Sequence, residues 1–266
     1  MVSEAQKTTQ PNLKFTVVTV CYNAAAELEQ TILSVLKQDY PNIEYIIIDG
    51  GSTDGSVDII KKYADKIAYW VSEPDKGIYD AMNKGIAAAT GDYINFMNAG
   101  DKFASPKILS KIAQEVNTAD VIYGNWGFIS SDKYITKRAG SPSKLWKGGQ
   151  LNHQSVIMRV DKNKILYNTT YRIAADYDLF CRMYASYNWT FRYVPITICI
   201  FDPNGISCKN PQKALKEVSH ISAQYFKGYT YWIKRNLLFC NTSIKNLLKN
   251  YLPISLLNLF RQIKNY

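Results

Sequence analysis

Aspartate and glutamate stand repeatedly where short apolar runs of this sequence end. The run FTVVTV leads to Cys21-Tyr22-Asn23, and IEYIII leads to Asp49-Gly50-Gly51-Ser52-Thr53-Asp54-Gly55. The run from Ile67 to Val71 leads to Glu73-Pro74-Asp75-Lys76-Gly77, and YINFM leads to Asn98-Ala99-Gly100-Asp101. Carboxylates ligate hard divalent cations, accept hydrogen bonds from ribose hydroxyls, and take protons from alcohols when suitably tuned. The turn DGGSTDGS has neither G-x-G-x-x-G spacing nor the lysine of G-x-x-x-x-G-K-[ST], which weakens the dinucleotide and P-loop readings. A ribonucleoside held by a carboxylate after the second run, with a divalent cation on a carboxylate after the fourth bridging a diphosphate, fits better.

Those run ends meet only if the runs are strands of one open sheet, whose ligands bind outside the carboxyl ends of the strands. Strands are predicted from Phe15 and over Ile43–Ile48, Ile67–Val71, Tyr93–Met97 and Val121–Tyr123. Helices are predicted between them over Glu27–Gln38, Ser56–Asp65, Tyr79–Ala89 and Ser105–Asn117. This alternation predicts an α/β fold with a mostly parallel, twisted sheet flanked by helices. After about residue 125 it weakens to a loop over 140–150, isolated strands at 155–159 and 192–198, and a helix over 176–186. Beyond Gln212 the pattern is helical, interrupted at Pro253.

A chain of 266 residues with 47% hydrophobic side chains can bury a large core. Its five cysteines (Cys21, Cys181, Cys199, Cys208, Cys240) form no C-x-x-C pair and no metal-type spacing with His153 or His220, so they read as reduced thiols of a cytosolic protein. The first residues have no apolar core of a signal peptide, and no segment offers the roughly 18 apolar residues of a spanning helix. The net charge of +10 is uneven: residues 208–266 hold ten basic and one acidic side chain and carry +9 of it. An anionic partner for that segment follows. Nothing resembles a helix-turn-helix, an RNP strand or a zinc knuckle, so a membrane surface is expected and no nucleic acid.

The segments TVCYNAAAELEQTILSVLKQDYPNIEYIIIDGGSTDGS, SEPDKGIYDAMNKGI and GDYINFMNAGD closely resemble the family 2 inverting glycosyltransferases, especially bacterial enzymes of lipopolysaccharide, capsule or exopolysaccharide assembly. The resemblance spans about residues 14–207. It implies a GT-A fold with a nucleotide half over 14–124 and an acceptor half over 125–207. An extended or disordered stretch over 1–13 precedes it, and a basic amphipathic helical extension over 208–266 follows. It implies a nucleoside-diphosphate sugar donor, with UDP foremost, and transfer of one sugar with inversion. Asp49 falls where the family contacts the nucleotide, with Thr19 and Tyr22 lining the pocket and Asn23, Lys84 and Asn98 on the donor side. Asp101 falls where the family binds Mg²⁺ or Mn²⁺, and Asp176 of AADYDLFCR falls at the general base; beside the resemblance, His153, just before the run QSVIM, and Trp126, an aromatic face for a sugar ring, are candidate acceptor contacts. The chain departs from many members in having Asp49-Gly50 for paired acids and Asn98-Ala99-Gly100 before Asp101. The Q-x-x-R-W element of processive synthases is absent.

Each assignment has a plainer counterpart. Asp49 and Asp54 sit where turn or cap aspartates sit, and Asp101 could precede a helix start. Asp178 competes with Asp176, and either could serve only as first-turn charge. Lys84 suits a phosphate or a solvated helix face. His153 suits backbone bonding, and Trp126 and Trp146 suit core packing. The segment 212–266, with aromatic, leucine and lysine residues interleaved, suits an anionic membrane or a packed hairpin. Membrane binding would place the enzyme at the inner face of the cytoplasmic membrane, with a lipid-linked glycan acceptor. Other functions are a non-catalytic sugar-nucleotide-binding or membrane scaffold, and nucleotidyl transfer; the latter lacks its glycine-rich activating loop here.

Overall fold

Val17, Val18, Thr19 and Val20 put branched side chains on both faces of one extended segment, and such a strand needs cover on both sides. The structure, a computed structural model, describes residues 13–116, 118–131, 133–203, 205, 209–228 and 231. In it β1 (Phe15–Cys21) is buried along its whole length. There follow α1 (Ala25–Leu36), β2 (Ile43–Asp49), α2 (Ser56–Lys62), β3 (Tyr69–Ser72), α3 (Ile78–Ala88), β4 (Tyr93–Phe96), β5 (Lys102–Phe103) and α4 (Ile108–Glu115). Then come β6 (Val121–Ser130), β7 (Lys133–Lys137), β8 (Val156–Arg159), α5 (Ala175–Ala185), β9 (Phe191–Ile200) and α6 (Pro211–Tyr225).

The strands form one sheet in the order β3-β2-β1-β4-β8-β6-β9-β5, with β7 paired to β6. The expected parallel order holds across β3-β2-β1-β4. Beyond it the sheet is mixed: β8 runs antiparallel to both β4 and β6, and β9 runs parallel to β6 with register shifts near Asn125. Three features exceed the sequence expectation. The strand begun at Val121 runs on to Ser130, it turns back through β7, and the two-residue β5 lies on the edge against β9. Exposed, mixed-polarity residues in β7 explain why periodicity did not mark it.

Val18 and Val20 pack with Met82 and Ile86 of α3 on one face, and Val17 and Cys21 pack with Leu28 and Ile32 of α1 on the other. Helix α3 lies so close that a Cβ on Gly85 would come within 2.5 Å of Val18 Cγ1. Full burial of Met82 or Ile86 is worth ~2 kcal/mol each. At the amino ends of the strands, buried Glu44 accepts hydrogen bonds from Lys14 Nζ, Thr16 Oγ1 and the Thr90 amide at 2.6–2.8 Å, and from Thr90 Oγ1. One carboxylate thus pins the starts of β1 and β2 to the turn before β4.

The expected boundary at residue 208 divides what the structure packs together. Ile221 and Phe226 are buried in the same apolar cluster as Leu179 and Phe180 of α5. The rest of the basic segment from 229 on, apart from Tyr231, lies outside the described residues, as do residues 1–12, Cys208 and Cys240. Among the described residues no helix is long and apolar enough to cross a membrane, and Cys21, Cys181 and Cys199 are free and buried.

Candidate active site

A cleft of about 660 Å³ opens at the carboxyl ends of β1 and β4. Tyr22, Asn98, Asp101, Trp126, His153 and Asp176, all named from sequence, line it. Asp75, Gln154, Arg172 and Asp202 line it as well.

Asp101 owes its place to β5. The antiparallel pairing of Lys102 with Ile200 brings the residue before β5 beside the end of β9. There Asp101 Oδ1 accepts the Asp202 amide at 2.9 Å and Oδ2 accepts Gln154 Nε2 at 2.7 Å. Burial, aided by the nearby Asp202 charge, pushes the Asp101 carboxyl up to about 7, against the pull of those two hydrogen bonds. Asn98 Oδ1 is buried and has no hydrogen-bond partner among the described residues. Asp101, Asp202 and Asn98 line the same cleft, and carboxylate and amide oxygens are donors that suit Mg²⁺ or Mn²⁺. Among the described residues no three His, Cys, Asp or Glu side chains gather. Such a cation would therefore keep positions for water and phosphate oxygens, as Mg²⁺ sites commonly do.

Asp176 occupies the first turn of α5, partly buried in the cleft wall. The Tyr79 hydroxyl of α3 lies 3.3 Å from its Oδ1, and burial raises its carboxyl to about 6. Asp178, its competitor by sequence, faces the other way: it is 1% exposed, pairs with Arg182 Nε at 3.0 Å and accepts the Tyr225 hydroxyl. His153 is buried and stacked on Phe96, with its Nε2 2.7 Å from the Tyr167 hydroxyl. Burial lowers its pKa to about 4, so its ring is neutral at pH 7. Trp126 is half-buried in the wall, whereas Trp146 packs near Tyr231 and does not line the cleft.

Four sequence assignments place differently. Thr19 is fully buried; its hydroxyl donates to the Met97 carbonyl at 2.7 Å and meets Tyr45, so it braces β1 rather than lining a pocket. Asp49 is also fully buried and accepts from the amides of Gly51 and Ser52, from the hydroxyls of Ser52 and Ser72, and from Cys21 Sγ. Burial alone would raise its pKa, but these donors hold it below the usual range. With its acceptor sites filled, Asp49 organises the turn after β2 and does not reach the cleft. Asn23, at φ 46°, accepts the Thr53 amide and through its own amide binds Ser52 Oγ, joining two loops. Lys84 pairs with Glu73 at 2.7 Å and bonds the Pro74 carbonyl, outside the cleft.

Asp75, and not Asp49, lines the cleft. A Cβ on Gly50 would come within 2.4 Å of Asp75 Oδ2 and 3.3 Å of Tyr22 Cδ2, so the missing side chain at residue 50 makes room for the Asp75 carboxylate. Asp75 Oδ1 accepts the Gly77 amide at 2.7 Å. Among the described residues Arg172 is the only Lys or Arg lining the cleft, and its Nη1 bonds the Lys76 carbonyl at 2.6 Å. Asp202 could have been found by the rule that marked Asp101, since it too follows an apolar run, TICIF.

The family model described as Glycosyl transferase family 2 matches residues 16–186. An uncharacterized glycosyltransferase of Mycobacterium tuberculosis is 31% identical over 216 residues, covering 75% of this chain and 79% of the relative. The crystal structure of Staphylococcus aureus TarS 1–349 in complex with UDP-GlcNAc aligns over 91% of this chain and 77% of its own, with a TM-score of 0.64 and 16% identity. Against a longer TarS chain the cover is 46% of that protein. The mannosyltransferase PcManGT of Pyrobaculum calidifontis, in complex with GDP-Man and Mn²⁺, aligns over 96% of this chain and 81% of its own, with a TM-score of 0.65 and 16% identity.

The chain belongs to glycosyl transferase family 2. Its mixed, curled sheet flanked by helices is similar to the GT-A fold of those solved glycosyltransferases.

Proposed function

We propose that this glycosyltransferase moves one sugar from a nucleoside diphosphate, UDP foremost, to an acceptor hydroxyl with inversion at the anomeric carbon. The observation that carries this reading is one cleft lined both by a carboxylate of raised pKa, Asp176, and by the Asp101–Asp202 pair. Inversion needs a base on the acceptor side and neutralisation of charge on the leaving side. Asp176 takes the proton from the attacking hydroxyl. Asp101 and Asp202, with Asn98, would hold Mg²⁺ or Mn²⁺, which when bound would stabilise negative charge on the departing diphosphate. Arg172 adds a fixed positive charge at the same cleft. Tyr22 and Asp75 hold the nucleoside, and Trp126 offers an aromatic face to the acceptor.

The complexes of TarS with UDP-GlcNAc and of PcManGT with GDP-Man and Mn²⁺ support a sugar-nucleotide donor and a divalent ion. The composition of residues 212–266 supports a peripheral site on the anionic inner face of the cytoplasmic membrane and a lipid-linked glycan acceptor of surface-polysaccharide assembly. The test is calorimetric binding and hydrolysis of UDP-, GDP- and dTDP-sugars with and without Mn²⁺, on wild type and Asp101→Asn. Mn²⁺-dependent binding of one donor, weakened in the variant, is the expected result. Binding of no donor by wild-type protein would overturn the proposal.

A further inference from the structure

Residues 208–266 hold a single carboxylate, Glu217. From α6 it reaches the loop leading into α5. Its Oε1 accepts the Arg172 amide at 3.1 Å, and its Oε2 accepts the amides of Ile173 and Ala174 at 2.9 Å each. Three consecutive N–H groups converging on one carboxylate form a nest of the kind that binds anions, filled here by the protein's own side chain. The same segment is held a second time, since the Ile173 carbonyl accepts the Tyr79 hydroxyl of α3 at 2.6 Å. Ala174, the cap residue of α5, has no side chain able to fix this backbone. Asp176 stands two residues further on.

We infer that Glu217 is a positioning residue for sugar transfer, fixing the backbone of Arg172–Ala174 and through it the placement of both Arg172 and Asp176 in the cleft; this rests on the role proposed above for Asp176. Helix α6 has other anchors: Tyr225 donates to Asp178 at 3.0 Å, Ser222 donates to the Trp146 carbonyl at 2.9 Å, and Ile221 is fully buried. Glu217 is thus not what holds α6 to the domain. Its charge also disfavours ionisation of Asp176, which otherwise faces Tyr79 of α3, Tyr167 of the preceding loop, the Tyr177 amide and Cys181 of α5. Removing that charge therefore lowers the pKa of the base.

The test uses the full chain as wild type, Glu217→Gln and Glu217→Ala, reading kcat, donor KM, the acid limb of the kcat pH profile and melting temperature. For Glu217→Ala, kcat falls about 10- to 100-fold with donor KM nearly unchanged, as small misplacements of reacting groups do. Glu217→Gln recovers part of the loss. In both variants the acid limb moves to lower pH. An unchanged kcat, or a loss that follows the folded fraction while the acid limb stays put, overturns the inference. A wild-type protein that turns over no sugar nucleotide contradicts the transferase proposal instead. In that event hydrogen exchange at residues 172–174 of Glu217→Ala decides the positioning claim: faster exchange supports it and unchanged protection overturns it.

Discussion

The Tyr79 hydroxyl stands 3.3 Å from Asp176 Oδ1 and 2.6 Å from the carbonyl oxygen of Ile173, and it has one proton to donate. The shorter bond claims it. Asp176 is left weakly supplied with donors in a wall of tyrosines, and burial raises its carboxyl to about 6. A carboxylate in that range is a better base toward a hydroxyl than one of ordinary pKa. Turnover should therefore fall about tenfold per pH unit below 6. The pH profile of kcat at saturating donor measures this, and a limb near 4 would contradict it.

The same shift carries a stability cost. A carboxyl whose folded-state pKa is raised contributes stability that is complete below its unfolded value of 3.8 and lost as pH rises through about 6. At neutral pH the ionised group opposes folding. Asp176→Asn should raise the melting temperature at pH 7.5, by a stabilisation of about 1–3 kcal/mol, while abolishing most activity. Thermal denaturation of both proteins in the absence of Mn²⁺ checks it.

Asp101 must lose its proton to ligate a metal, and its carboxyl sits at about 7. Mn²⁺-dependent donor binding should weaken about tenfold per pH unit below 7. Calorimetry at pH 6 and pH 8 distinguishes this from binding that ignores pH.

Asp49 and Asp75 should separate stability from donor binding. Asp49→Ala leaves the amides of Gly51 and Ser52 and the hydroxyls of Ser52 and Ser72 without their acceptor. It should cost about 2–4 kcal/mol, read by urea denaturation. Asp75→Ala should weaken donor binding about 10-fold or more with stability nearly intact. The reverse pattern would return Asp49 to the nucleotide.

How far the site could be read from sequence follows from what each residue touches. Asp101 and Asp176 were legible because each stands at the edge of a predicted element and at a family motif. Asp49 has the same credentials, yet four near neighbours consume its acceptors, a fact of turn geometry that spacing does not contain. Asp202 and Gln154 reach Asp101 through the β5–β9 and β8–β4 pairings, which join segments 53 to 101 residues apart in sequence. The parallel half of the sheet was legible from its buried apolar runs. The extension of β6 and the strand β7 were not, because half-exposed antiparallel strands lack such a run. Helix α6 reads as a basic tail by composition, although its Ile221 and the following Phe226 belong to the core.

Away from the cleft, Glu44 ties the strand starts together. Burial would raise its carboxyl, but the Lys14 ammonium with Thr16 and Thr90 outweighs it and holds the pKa at about 2, against 4.5 ordinarily. A depressed carboxyl contributes stability that is present above pH 4.5 and lost as pH falls toward 2. Glu44→Gln should therefore cost about 1–3 kcal/mol at pH 7 and flatten the acid dependence of unfolding in that window. Denaturant midpoints at pH 7 and pH 3 test it.

The measurement that bears most directly on Asp176 as the base is turnover by Asp176→Asn of a donor it demonstrably binds, with Mn²⁺ present. Donor affinity close to that of the wild type, with turnover lowered about 10²- to 10⁴-fold, is the predicted result. Undiminished turnover by that variant would contradict the assignment of the proton transfer to Asp176.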